Sequence, residues 1–152
     1  MGVAIKLKPF AFAAALCLAA CATRSLPAGE TLPPLVRDAR QTFIDDCRPD
    51  APDFGRDLIL RADLNGDAQD DYVVNGFAYQ CRKDTPFCGS AGCEAQVFLS
   101  APGDGLEQRF DGWLEEPPRV VRRKGKPALV SGAGRSALVF DPRAMRFATT
   151  PR

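Results

Sequence analysis

Between Asp63 and Asp71 the chain reads Asp63-Leu64-Asn65-Gly66-Asp67-Ala68-Gln69-Asp70-Asp71, with oxygen-bearing side chains at alternate positions. In a tightly coiled loop this alternation turns the first, third and fifth side chains to one side, where carboxylates and an amide oxygen suit a hard cation such as calcium. The bland alternative is a polar hairpin turn whose acids are merely solvated. An EF-hand is ruled out, because its twelfth position requires a bidentate glutamate and Val74 stands there. The chain has no histidine, which removes Ser-His-Asp and Cys-His catalysis and histidine-ligated zinc.

The loop lies between two apolar runs, Leu58 to Leu60 and Tyr72 to Val74, so the spacing predicts a strand on each side of it. Further strands are expected near Ala95 to Ser100, Gly105 to Phe110, Arg119 to Arg123, Ala128 to Ser131, Ala137 to Phe140 and Met145 to Thr149. The first two span Asp57 to Ala62 and Tyr72 to Tyr79. Turn signals such as Pro102-Gly103-Asp104-Gly105 and Lys124-Gly125-Lys126-Pro127 separate them. Tight turns favour antiparallel pairing, since a parallel crossover needs a dozen or more residues. Upstream, Leu35, Val36, Ala39, Phe43, Ile44 and Cys47 recur at helical spacing. The expected architecture is α+β and mainly β: an antiparallel meander with one N-terminal amphipathic helix, disulfide-bonded, within a single domain over 35–152.

The first residues carry a different signal. Lys6 and Lys8 precede an apolar stretch from Phe10 to Ala20, which is too short to span a bilayer core of about 30 Å. Leu18-Ala19-Ala20-Cys21 resembles the lipobox of bacterial lipoproteins. That resemblance implies a signal peptide over 1–20, lipid on Cys21, and a lipidated cysteine and flexible tether over 21–34. Ala22 then implies sorting to the outer membrane, with the domain facing the periplasm; the alternative is an ordinary secretory signal and a soluble periplasmic protein. More than one acyl chain holds a membrane stably, so no transmembrane segment is required. Without Lys6 and Lys8 the chain keeps eighteen basic against nineteen acidic residues, a balance that argues against a nucleic-acid partner.

Export also bears on the remaining thiols, Cys47, Cys81, Cys88 and Cys93. An even number in an oxidising compartment favours two disulfides, with three pairings open. Cys47 with Cys81 and Cys88 with Cys93 is preferred, because the two glycines of Cys88-Gly89-Ser90-Ala91-Gly92-Cys93 permit a tight reversal. On the chain-entropy view the longer bridge contributes about 4 kcal/mol and the shorter about 2 kcal/mol. A four-cysteine zinc site is the alternative, against which stands the lack of a C-x-x-C pair.

The acidic loop resembles the calcium loops of FG-GAP and VCBS repeats, whose pattern is D-x-[DN]-x-D-G-x-x-D before an apolar strand. By that resemblance Asp63, Asn65 and Asp67 offer side-chain oxygens, Gln69 its backbone carbonyl and Asp71 the closing carboxylate to a structural calcium ion. Ala68 departs from the family's glycine, and a left-handed alanine costs about 1 kcal/mol. The pattern occurs once, so the multi-bladed propeller of that family is not implied. The combination of lipobox, loop and C-G-x-x-G-C turn also looks like small envelope proteins of proteobacteria.

Other candidates carry less. Arg119, Arg122, Arg123, Lys124 and Lys126 would suit an anionic envelope surface, or form a solvated hairpin that guards a sheet edge. Ser131-Gly132-Ala133-Gly134 lacks the lysine and helix of a phosphate loop. No sequence feature places Asp45-Asp46 or Glu115-Glu116 across a cleft as a glycosidase pair must be, and no catalytic residue is assigned. Trp113 is expected to pack in the core or anchor a loop rather than stack on sugar.

The reading is a non-enzymatic envelope lipoprotein with a structural or protein-interaction role and an envelope protein or polysaccharide as partner. The alternatives are a binding or inhibitor module for a cell-wall polymer or wall hydrolase and, behind it, a hydrolase. Replacing Cys21→Ser is expected to abolish incorporation of labelled fatty acid and move the protein from the membrane to the soluble fraction. Unchanged labelling would refute lipidation at this residue.

Overall fold

The computed structural model describes residues 31–149 apart from 51, 56, 82–86, 104 and 133–136. The signal sequence, lipobox and Cys21 therefore lie outside the described residues, as do Ala133 and Gly134.

Pro34 occupies the first turn of α1 (Pro34–Asp46), where its fixed φ is already helical and its missing N–H would find no partner within the helix. Val36 and Phe43, seven residues apart on one stripe, are its fully buried side chains, and Leu32 and Ala39 pack beside them. The strands follow in chain order: β1 (Asp53–Phe54), β2 (Ile59–Ala62), β3 (Asp71–Asn75), β4 (Tyr79–Gln80), β5 (Cys88–Gly89), β6 (Gly92–Ala101), β7 (Gly105–Leu114), β8 (Pro118–Arg123), β9 (Lys126–Ser131), β10 (Leu138–Asp141) and β11 (Arg146–Thr149).

The expected antiparallel meander is divided between two sheets. One orders its strands β2-β3-β6-β7, with β5 on the β3 side of β6; the other orders them β8-β9-β10-β11. A separate β1-β4 pair completes the strands. At its centre the first sheet is apolar on both faces. Ile59, Tyr72, Val74 and Phe98 meet α1 residues Val36 and Phe43 on one side. Leu60, Val73, Val97 and Leu99 meet Leu129 and Phe140 of the second sheet on the other. Helix, sheet and sheet thus form three layers, and β3 is buried at all five positions because it lies between two cores.

Local chemistry explains where the strands depart from expectation. The strand expected through Tyr79 stops at Asn75, whose side chain accepts from the Phe77 N–H at 3.1 Å and opens a 3-10 turn over Gly76–Ala78. β7 runs on to Leu114 because β6 pairs with it along its whole length, with a register shift between Val97 and Phe98. The disulfides join Cys47 to Cys81 and Cys88 to Cys93, as preferred from the spacing. Cys88 and Cys93 are direct cross-strand partners, so the short bridge closes the β5-β6 hairpin. Gly92 in that hairpin has φ +103°, and a Cβ there would stand 1.8 Å from the Leu114 carbonyl oxygen. Only glycine fits.

Phe43 ties the helix to the rest. Its ring stacks on Phe87 with centroids 3.8 Å apart and meets Tyr79 edge-on at 5.3 Å, while the Tyr79 hydroxyl donates to its carbonyl. Truncation by Phe43→Ala is expected to cost about 3–5 kcal/mol, measured by denaturant unfolding. A loss below 1 kcal/mol would show that the helix contributes little to the core.

Candidate functional site

The acidic loop joins β2 to β3, whose last pairing is Ala62 with Asp71. Asp71 begins β3 and is wholly buried. Its Oδ2 accepts from the backbone N–H groups of Leu64 at 2.5 Å and Asn65 at 3.1 Å. Its Oδ1 accepts from the backbone N–H and the hydroxyl of Ser100, each at 2.8 Å. One carboxylate therefore fastens the start of the loop to the neighbouring strand β6, and its four donors replace the water that burial removes.

The remaining side chains shape the loop from within. Asp63 accepts from Gly66 N at 2.6 Å, Asp67 N at 3.1 Å and Ala68 N at 3.1 Å, as a carboxylate at the head of a tight turn does. Asn65 Oδ1 accepts from Asp67 N at 3.0 Å, and Asp67 Oδ1 from Gln69 N at 2.8 Å. On the β6 side, Asn65 Nδ2 lies 3.0 Å from Ser100 Oγ and 3.2 Å from Asp67 Oδ2. Ser100 Oγ in turn stands 2.7 Å from Asp67 Oδ2. Gly66 and Ala68 both lie in the left-handed region, at φ 86° and 67°. Position 68 thus demands the conformation that glycine adopts without penalty, and Ala68 holds it at a cost of about 1 kcal/mol.

Asp63, Asn65 and Asp67 turn their oxygens toward the loop's own amides, and their chemistry is that of a hard-cation donor set. Each carboxylate oxygen in a single hydrogen bond keeps a second lone pair for ligation. Among the described residues, however, no three acidic, histidine or cysteine side chains are drawn together as a metal-holding group. The donors are present, and amides and Ser100 hold them.

Burial pushes the Asp71 carboxyl above the usual carboxylate range, opposed by hydrogen bonds from Ser100, Leu64 and Asn65. Asp67 moves the other way, held down by the Ser100 hydroxyl and then by the Gln69 amide. Ser100 was not legible from the sequence: it ends the apolar run Val97-Phe98-Leu99, and only the β3-β6 pairing carries it to Asp71. A cleft of about 200 Å³ beside Asp63 and Asn65 is closed by Lys126 and Pro127, so the basic hairpin reaches the acidic loop across the two sheets.

The other sequence candidates separate. Within the basic stretch Arg119 and Arg122 donate to the carbonyls of Gly132 and Gly125 at 2.5 and 2.9 Å. Asp45 pairs with Arg48 at 2.9 Å, and Asp45, Asp46, Glu115 and Glu116 are all exposed. Ser131 is buried, and its hydroxyl donates to the Glu116 carbonyl at 2.7 Å. Of the two expected places for Trp113, the core is excluded, since it is 49% exposed while Phe110 and Leu114 take the positions facing the second sheet; its ring lies against Gly89 of the β5-β6 hairpin. The chain matches no family model, no curated protein and no solved structure.

The two carboxyls predict opposite pH dependences. Just above pH 3.8 the folded chain retains a proton on Asp71 that the unfolded chain releases, so this group's contribution to stability falls as pH rises through that window. Asp67 contributes stability that is lost as pH falls through 3.8 and below. The Asp71→Asn variant should lose the first slope. At neutral pH it should also be less stable by about 1–3 kcal/mol, since its amide nitrogen faces donors. Denaturant unfolding from pH 3 to 7 checks both; a variant whose profile parallels the unsubstituted chain would refute the assignment.

Proposed function

We propose that the chain is an exported envelope protein, held to the outer membrane through lipid on Cys21 and facing the periplasm. Its mainly β domain acts without catalysis, as a structural or protein-interaction module in which the 63–71 loop takes a calcium ion. The observation that carries the calcium reading is the buried Asp71 carboxylate, which pins a loop of alternating oxygen donors with left-handed backbone at Gly66 and Ala68.

Asp63, Asn65, Asp67, the Gln69 carbonyl and Asp71 would hold the ion, Asp71 only by giving up one of the two hydrogen bonds that each of its oxygens accepts. Calcium bound there would supply positive charge to a loop whose sequence carries Asp63, Asp67, Asp70 and Asp71. The chain's own residues do the rest: Asp71 fixes the loop to β6, Asp63 sets its turn, and Ser100 keeps Asp67 beside Asp71. The anchor reading rests on Leu18 to Cys21. Among the described residues no helix is long and apolar enough to cross a membrane.

The experiment is the melting temperature of the chain from Ala22 onward, in millimolar calcium and then in chelator. Calcium at ten times its dissociation constant adds about 1.4 kcal/mol, which raises melting by about 4–8 °C for a domain of this size. Asp67→Ala should abolish that rise. Identical melting in calcium and chelator would refute the calcium reading and leave a self-supporting hairpin turn.

A further inference from the structure

The layer of α1 covers only part of its face of the first sheet. Across that face, register places Ile59 beside Val74, Val74 beside Gln96 and Gln96 beside Asp111. α1 packs on the β2-β3 end of this row, where Ile59 and Val74 belong to the core. At the β6-β7 end the same face carries Gln96 and Asp111, and next to them the cross-strand pair Glu94 and Trp113. Trp113 is about half exposed, and a Cβ on Gly89 would stand 3.8 Å from its ring, so the indole leans on the disulfide-closed β5-β6 hairpin.

Two independent features meet at this place. The first is electrostatic. Glu94 and Asp111 flank Trp113, and their hydrogen-bond partners are the amides of Gln96, at 2.6 Å, and Gln108, at 3.3 Å. Among the described residues no lysine or arginine pairs with either. Carboxylates beside the negative face of an indole select positive charge. The second is the backbone. β7 is ten residues long and, among the described residues, pairs with β6 alone, so its outer edge offers N–H and C=O groups to an extended chain.

We infer that β7 is a docking edge for an extended basic segment of a partner protein, which adds as a strand beside β7 and lays alternate lysine or arginine side chains over Trp113 and Asp111. Side chains two residues apart on an added strand fall on one face, at the spacing of Asp111 and Trp113. Main-chain hydrogen bonds along β7 supply affinity, and the acidic, aromatic strip supplies selectivity. The site lies apart from the acidic loop and does not depend on calcium.

Trp113 is the chain's single tryptophan and reports directly on its own site. The test titrates the full chain in detergent with a Thr-Lys-Thr-Lys-Thr-Lys peptide while its fluorescence is followed. A saturable change is expected, weakened about threefold to tenfold by the double variant Glu94→Gln with Asp111→Asn and reduced by salt. An acidic Thr-Glu-Thr-Glu-Thr-Glu peptide, and the basic peptide N-methylated at alternate residues, should leave the fluorescence unchanged. Equal response to acidic and basic peptides would overturn the charge selection, and equal response to the N-methylated peptide would overturn strand addition. A neutral oligosaccharide that shifts Trp113 where the basic peptide does not would overturn the proposal in favour of a glycan. A shift that tracks protein concentration without peptide would overturn it in favour of a second copy.

Discussion

The centre of the first sheet, along β3 and the parts of β2 and β6 beside it, is apolar on both faces, and every other element answers to that constraint. Val73 and Val74 are adjacent in β3 and point to opposite sides, yet neither is exposed to water by more than 1%. A sheet so composed cannot stand with one face in solvent, as many antiparallel sheets do. It needs a cover on each side. α1 supplies one through Val36 and Phe43, and the β8-β11 sheet supplies the other through Leu129 and Phe140. The bridge from Cys47 to Cys81 holds the end of the helix beside the residue that follows β4, under the same aromatic cluster of Phe43, Tyr79 and Phe87.

The acidic loop depends on the same sheet. Asp71 is buried because β3 is central, and a buried carboxylate is tolerable only when hydrogen bonds replace its water. β6 provides two of those bonds through Ser100, and the loop provides two through Leu64 and Asn65. Loop and sheet are therefore not separable parts. An ion bound in the loop, as proposed, would act on the β3-β6 pairing through Asp71.

The surfaces divide by charge along the same lines. The basic hairpin of β8-β9 lies in the second sheet and comes near the acidic loop through Lys126. The acidic strip around Trp113 lies on the opposite face of the first sheet, at the end of β6 and β7 away from Phe98 and Leu106, which belong to the helix-side core. A sheet four strands across, covered by one helix about 10 Å wide, leaves strand surface open, and here that surface carries Trp113, Glu94 and Asp111.

Much of this architecture was legible in the residues themselves. The 3.6-residue spacing of Val36, Ala39 and Phe43 specifies α1, and turn glycines with apolar runs specify eight of the strands. Periodicity and turn chemistry act over a few residues and so can be read locally. The two-glycine spacing of Cys88 to Cys93 is local in the same sense, and the alternation of Asp63, Asn65 and Asp67 already marks a tight turn. Three things waited for tertiary structure. The short strands β1, β4 and β5 have only two residues each and carry no period of their own. Ser100 joins Asp71 across 29 positions of sequence, and nothing in Val97-Phe98-Leu99-Ser100 announces it. Trp113 has the composition of a core residue and stays half exposed, because strand register hands the inward positions to its neighbours and the helix covers only the other end of that face. A local pattern decides what a segment becomes; which side chains stay buried and which distant groups meet is decided by the stacking of layers, where each position's surroundings come from residues far away in the chain.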